Sequence, residues 1–261
     1  MSALPDILAR IVADRRAALA LEARLGDEAE PAPTRGFLAA LQAAAAPRII
    51  AECKRASPSA GVLRLGEPWS PAGLARAYEA AGATCLSVLT EPRHFWGSLA
   101  DLVEAREACA LPVLRKDFLV EPAQVREARR AGADAVLLIA AVLPGEQLGE
   151  LHAAATEEGL DALVEVVDEE EARRAVDLRA PLVGINHRDL RTFEIDLGRS
   201  ERLAPALVAA GCFVVAESGL SDLATLERLQ AAGASGFLVG TSLLRQADPG
   251  AALRRLRGEA A

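Results

Sequence analysis

Three stretches of the chain repeat one pattern: AYEAAGATCLSVLTE (77–91), EARRAGADAVLLIAA (127–141) and RLQAAGASGFLVGTS (228–242). Each runs from a helical pattern through an Ala-Gly-Ala stop into an apolar strand. Gly82, Gly132 and Gly233 suit the left-handed position that ends a helix. They are spaced by 50 and 101 residues, and further strand candidates between them halve the unit to roughly 25 residues, one strand plus one helix. Eight strands can be read: RIIAECK, CLSVLTE, PVLRKDF, AVLLIAA, ALVEVVD, LVGINHR, FVVAESG and GFLVGTS. Helix starts follow, at Ser70-Pro71, Glu121-Pro122 and Ser221-Asp222. Continuous apolar strands alternating with helices argue a parallel sheet covered on both faces. Eight units in the 215 residues from 47 to 261 predict an α/β fold, a closed (β/α)8 TIM barrel. Residues 1–46 carry two more helical segments and are expected as an N-terminal helical extension packed on the barrel, within a single domain.

Composition narrows the function classes. The net charge is −8, aromatics make up 3% of residues, and basic patches interleaved with aromatics are absent, so nucleic acid is not an expected partner. No run approaches the roughly 18 apolar residues of a membrane span, and the N-terminus lacks a leader pattern. The expectation is a soluble, cytoplasmic protein without a membrane partner. Cys53, Cys85, Cys109 and Cys212 form no CxxC pair and read as reduced core thiols. His94, His152 and His187 lack metal-ligand spacing, so no metal site is expected.

Alternation along the strands exposes an anomaly. In IIAECKRASPSAG (49–61), Glu52 and Lys54 share parity with Ile50 and so point where a core side chain should. Lys116 follows Leu114 in the same way, Glu165 follows Leu163, and Glu217 follows Val215. Asn186 and Arg188 end the sixth strand, and Ser218, on the other parity, ends the seventh. Glu52 and Lys54 alone could be a structural ion pair. Several strands converging on one mouth with three cations (Lys54, Lys116, Arg188) and three carboxylates (Glu52, Glu165, Glu217) read instead as a site, because unpaired buried charges cost roughly 3–5 kcal/mol. Active sites of this fold lie at the C-terminal mouth, with phosphate held after strands 7 and 8. Gly219 and Gly240 stand there before helix starts, and Ser57 can add a hydroxyl.

With these residues in place, the sequence resembles the indole-3-glycerol phosphate synthase family. IIAECKRASPSAG, SVLTE with FWGS, LRKDF, LVEV, GINHRDL, VAESG and LVGTSLL follow in the family's order. The resemblance implies a decarboxylating ring closure that forms an indole, with Lys116 as general acid. Glu165 and Lys54 would serve the dehydration, and Glu52 would orient Lys54. Asn186, Arg188 and Glu217 would contact substrate hydroxyls and carboxylate. Ser57, Ser218, Gly219, Gly240 and Thr241 would hold the phosphate, while Phe118, Leu137, Leu190 and Leu238 would line the ring pocket. It implies a small phosphorylated substrate and no cofactor, and it leaves open an association with other tryptophan-pathway enzymes. His187 and Trp96 depart from the family pattern; parity points His187 out of the barrel. Two other readings stay open on the residues: a Schiff-base aldolase using Lys116 or Lys54, and a phosphate-sugar binding barrel without catalysis.

Overall fold

The structure is a computed structural model that describes residues 6–22, 31–58, 61–63, 68–189 and 194–259. Eight parallel strands close a barrel: β1 (Ile49–Cys53), β2 (Cys85–Leu89), β3 (Val113–Lys116), β4 (Ala135–Ile139), β5 (Asp161–Val166), β6 (Leu182–Asn186), β7 (Phe213–Glu217) and β8 (Gly236–Val239). Closure occurs at β1, where Ile50 lies opposite Leu238 of β8 on one side and Cys85 of β2 on the other. The (β/α)8 barrel expected from the repeat is therefore present, strand for strand.

The helices are α1 (Asp6–Glu22), α2 (Phe37–Ala43), α3 (Pro71–Ala80), α4 (Leu99–Ala108), α5 (Pro122–Arg130), α6 (Gln147–Glu157), α7 (Glu169–Asp177), α8 (Gly198–Ala209), α9 (Leu223–Ala231), α10 (Thr241–Leu244) and α11 (Pro249–Leu256). Their boundaries follow local chemistry. The Ser70 hydroxyl accepts from the Gly73 N–H at 3.0 Å, and Asp222 accepts from the Thr225 N–H at 2.8 Å; each satisfies an orphan donor of a first turn. Gly82, Gly132 and Gly233 take φ of 79°, 85° and 115°, the left-handed turn that stops a helix and aims the chain into the next strand. Among the described residues no helix is long and apolar enough to cross a membrane.

The two N-terminal helices serve opposite ends of the barrel. Phe37 and Leu41 of α2 are fully buried, and the segment is tied to the N-terminal ends of strands. The Leu38 N–H donates to Asp161 at 2.8 Å, and the Arg35 N–H donates to Asp134 at 2.7 Å. Asp134 also accepts from Arg106 at 2.8 Å and from the Val113 N–H at 2.7 Å. Helix α1 lies at the other end: Leu8, Ile11, Val12 and Arg15 are buried, and Arg15 reaches Asp117, just past β3, at 3.0 Å.

Asp134 thus holds the underside of the barrel far from the mouth. Asp134→Ala would strand the buried Arg106 and two backbone donors, and we expect it to lower unfolding free energy by about 3–5 kcal/mol. The urea midpoint should fall while kcat at low temperature stays near wild type. A loss of kcat at an unchanged midpoint would contradict this assignment.

Candidate active site

A cavity of about 490 Å³ opens at the C-terminal ends of the strands. Glu52, Lys54 and Ser57 reach it from β1 and its loop, Lys116 and Phe118 from β3, Leu137 from β4 and Glu165 from β5. Asn186 and Arg188 enter from β6, Ser218 and Gly219 from beyond Glu217 of β7, and Leu238, Gly240 and Thr241 from β8. Every described residue assigned a site role from the sequence faces this one space. Leu190 lies outside the described residues.

Two cation–carboxylate groups occupy the floor. Lys54 Nζ lies 2.5 Å from Glu52 Oε2. Lys116 Nζ donates to Glu217 Oε2 at 3.0 Å and stands 3.4 Å from Glu165 Oε2. So Glu52 and Lys54 are an ion pair and also part of the cavity wall; the two readings of the sequence coincide. Glycine makes room for the carboxylates. A Cβ on Gly240 would overlap Glu52 Oε2, and a Cβ on Gly184, inside β6, would overlap Glu217 Oε1. Gly240 is therefore required by Glu52, a demand that its expected phosphate role did not include.

The acids are nearly inaccessible, with Glu52, Glu165 and Glu217 at 2–3% exposure. Burial pushes the Glu217 carboxyl up to about 7; the Lys116 charge opposes that shift and Glu165 adds to it. Its Oε1 is buried with no hydrogen-bond partner among the described residues, which agrees with a poorly solvated carboxyl. Burial alone would lower the pKa of Lys116, but Glu217, Glu165 and Glu52 outweigh it and hold the ammonium above its ordinary value. Glu217 thus shifts upward through its burial, with Glu165 adding to it, and Lys116 through the carboxylates beside it. A protonated Lys116 is a proton and hydrogen-bond donor, not a Schiff-base nucleophile, which needs a lowered pKa.

A hydrogen-bond relay joins the acids to the strand 7 loop. Asn186 Nδ2 donates to Glu165 Oε1 at 3.2 Å, while Asn186 Oδ1 accepts from the Ser218 hydroxyl at 2.9 Å and the Arg188 N–H at 3.0 Å. Ser218 and Gly219 take successive positive φ of 70° and 79°. For a serine that conformation is uncommon and costs about 1–3 kcal/mol, so its surroundings must hold it.

Sequence reasoning missed part of the wall. Leu89 and Ile139 end β2 and β4 and line the cavity, as do Phe95, Ile195 and, from α1, Ile7, Leu8 and Ile11. Ile139 shares parity with Leu137 and could have been found from it. Nothing local marks the α1 residues. Trp96 is 51% exposed and does not line the cavity; its neighbour Phe95 does, 6.1 Å between ring centroids from Phe118. His187 is outside the cavity, as parity implied, yet it is wholly buried. Burial raises the pKa of all four thiols, in keeping with unreactive cysteines.

The family model described as indole-3-glycerol phosphate synthase matches residues 8–256. Among curated proteins, an indole-3-glycerol phosphate synthase of Rhizorhabdus wittichii is 53% identical over 225 residues, covering 85% of this chain and 84% of that protein. One of Burkholderia vietnamiensis is 48% identical over 262 residues, covering 97% and 99%. Among solved structures, the barrel is similar to the tryptophan synthase alpha-subunit of Pyrococcus furiosus, with a TM-score of 0.63, 17% identity, and 81% and 98% coverage. A mandelate oxidase matches with a TM-score of 0.62, 22% identity, and 83% and 73% coverage. These two likenesses concern the fold alone.

The position of the Glu217 proton has a measurable consequence. In the unfolded chain this carboxyl titrates near 4.5, and in the folded chain near 7. Its raised pKa means that the folded state keeps a proton the unfolded state has lost, so between these values its contribution to stability falls as pH rises. Glu217→Gln lacks that titration. Relative to wild type, its urea midpoint should therefore improve from pH 4.5 to 7; a relative decline would put the proton elsewhere.

Proposed function

The chain belongs to the indole-3-glycerol phosphate synthase family, and on that footing we propose how its own residues perform the reaction. The activity is that of a carboxy-lyase of tryptophan biosynthesis. It converts 1-(2-carboxyphenylamino)-1-deoxyribulose 5-phosphate into indole-3-glycerol phosphate, carbon dioxide and water. The observation that carries our assignment is the Lys116 ammonium, held between Glu217 and Glu165 at the floor of the cavity.

Ring closure begins when the carboxylate-bearing ring carbon attacks the ketone. Negative charge grows on the ketone oxygen, and a donor already in place there stabilises the transition state without reorganisation. Lys116 takes this role and delivers its proton as the oxygen becomes a hydroxyl. Carbon dioxide then departs, and its bonding electrons restore the ring. The new hydroxyl must leave as water while a neighbouring proton is removed. Glu165 and Lys54 share that step, Glu165 held by Asn186 and Lys54 by Glu52. Lys54 and Arg188 supply positive charge for the substrate carboxylate, and Asn186 and Glu217 contact its hydroxyls.

We assign the phosphate to Ser57, Ser218, Gly219, Gly240 and Thr241, which line one side of the cavity. Phe118, Leu137 and Leu238 supply an apolar bed for the aromatic ring, with Leu190 as a further expected contact outside the described residues. The α1 residues Ile7, Leu8 and Ile11 complete this wall, which supports treating residues 1–46 and the barrel as one functional unit. The biosynthetic family favours a cytoplasmic location.

Incubation with the substrate should produce indole fluorescence. Lys116→Met keeps the stem but removes the donor, and kcat should fall by about 10²- to 10⁴-fold, the range of general acid catalysis, with a much smaller change in KM. A kcat within about threefold of wild type would exclude Lys116 as the acid. Borohydride with substrate should leave the protein unlabelled; covalent labelling would favour the aldolase chemistry instead.

A further inference from the structure

His187 follows Asn186 directly but belongs to no step of the reaction. It sits outside the cavity, wholly buried between the barrel and α8. Its Nδ1 lies 2.9 Å from the Ser218 carbonyl oxygen, and its Nε2 lies 2.7 Å from the hydroxyl of Ser200, itself fully buried on α8. These partners fix the tautomer. A carbonyl oxygen can only accept, so Nδ1 carries the proton; in the neutral ring Nε2 must then accept from the Ser200 O–H. Burial lowers the pKa of this imidazole and Arg199 adds to that, while the hydrogen bond to the Ser218 carbonyl and, less strongly, Asp196 act the other way.

The carbonyl it grips belongs to Ser218, the one non-glycine site residue with a left-handed backbone among the described residues. Ser218 has φ of 70°, and in that conformation its hydroxyl meets Asn186 Oδ1 while its carbonyl meets the His187 ring outside the cavity. We infer that His187 is a positioning residue for the ring closure: from behind the barrel wall it locks Ser218, and through Ser218 it sets Asn186 and Glu165. The chain of contacts runs Ser200 to His187, His187 to the Ser218 carbonyl, the Ser218 hydroxyl to Asn186, and Asn186 to Glu165. No link in it touches the substrate until Ser218. A side chain on α8 thereby reaches the reacting centre through backbone geometry. Its last two links rest on the roles proposed above for Asn186 and Glu165.

The test compares His187→Phe, which keeps a flat ring but no donor, with His187→Asn, which keeps an N–H donor near the Nδ1 position. Both lose the Ser200 bond and both should melt earlier than wild type. A positioning role predicts that kcat falls at least about fivefold in the Phe variant, more than KM changes, and recovers in the Asn variant. A smaller fall in His187→Phe, or an equal fall in His187→Asn, overturns the inference. Should the Phe variant fail to fold, His187→Leu also removes the donor to Ser218 with a smaller side chain; kcat should drop at least about fivefold with a smaller change in KM, and a smaller drop overturns the inference equally. Asn186→Ala separates this from the reading it rests on. If that variant keeps kcat, the assigned site is wrong; if it loses kcat while His187→Phe does not, only the positioning role fails.

Discussion

A half-buried ammonium ion at the mouth of a closed barrel is the constraint around which this molecule is arranged. Taking a cation from water costs several kcal/mol, and one carboxylate about 4 Å away returns about 4 kcal/mol at an effective dielectric near 20. A single partner barely suffices. Lys116 has two, Glu217 and Glu165, and the second carboxylate creates a new demand, since two anions now share one cation. That demand spreads outward. The Glu217 carboxyl is pushed up to about 7, Glu165 takes a hydrogen bond from Asn186, and Asn186 takes one from Ser218 in a left-handed conformation. The space for the carboxylates comes from Gly184 and Gly240.

The same strand end is braced on its other face. Arg115, of opposite parity to Lys116, is fully buried and donates to Asp117 at 3.1 Å and to the Gln124 carbonyl at 2.8 Å, with Glu127 at 2.8 Å. Asp117 Oδ2 also accepts from Thr90 at 2.8 Å and from Arg15 of α1 at 3.0 Å. Two arginines against Asp117 and Glu127 make a neutral set, so the outer network does not disturb the charge of the inner one. It also ties to the barrel the helix that supplies Ile7, Leu8 and Ile11 to the cavity. The position of Lys116 and the presence of an apolar lid over it therefore share one carboxylate.

What could be read from the sequence is what strand and helix periodicity carry. Gly82, Gly132 and Gly233 marked helix stops because a left-handed turn excludes most side chains, and their spacing counted the barrel units. Glu52, Lys116, Glu165 and Glu217 were legible because charge on a core parity is anomalous in any strand. Features that depend on closure were not. Gly184 looks like an ordinary strand glycine until β7 brings Glu217 beside it, and Gly240 looks like a phosphate glycine until β1 brings Glu52. The place of α1 over the mouth is held by contacts of Arg15 with Asp117, 102 residues away, and of Asp14 with Arg93 and His94, which no local pattern encodes. His187 was correctly turned outward by parity, but its grip on Ser218 needs the loop after β7 and helix α8 together.

Charge balance at the mouth also bears on how an anionic ligand is received. With every group ionised, Lys54, Lys116 and Arg188 offset Glu52, Glu165 and Glu217, and the empty site is neutral. A substrate carboxylate brought among them adds negative charge close to Glu217, whose carboxyl already titrates near 7. The like charge must raise that pKa further, so binding near neutral pH is linked to proton uptake from solvent. The added proton keeps the cluster neutral while the carboxylate is bound, and departure of carbon dioxide removes the reason for it. Calorimetry of a carboxylate-bearing substrate analogue at pH 7, repeated in buffers of different ionisation enthalpy, should register that proton. Glu217→Gln should bind the analogue with no buffer dependence; uptake that persists in this variant would assign the proton to Glu165 or Glu52.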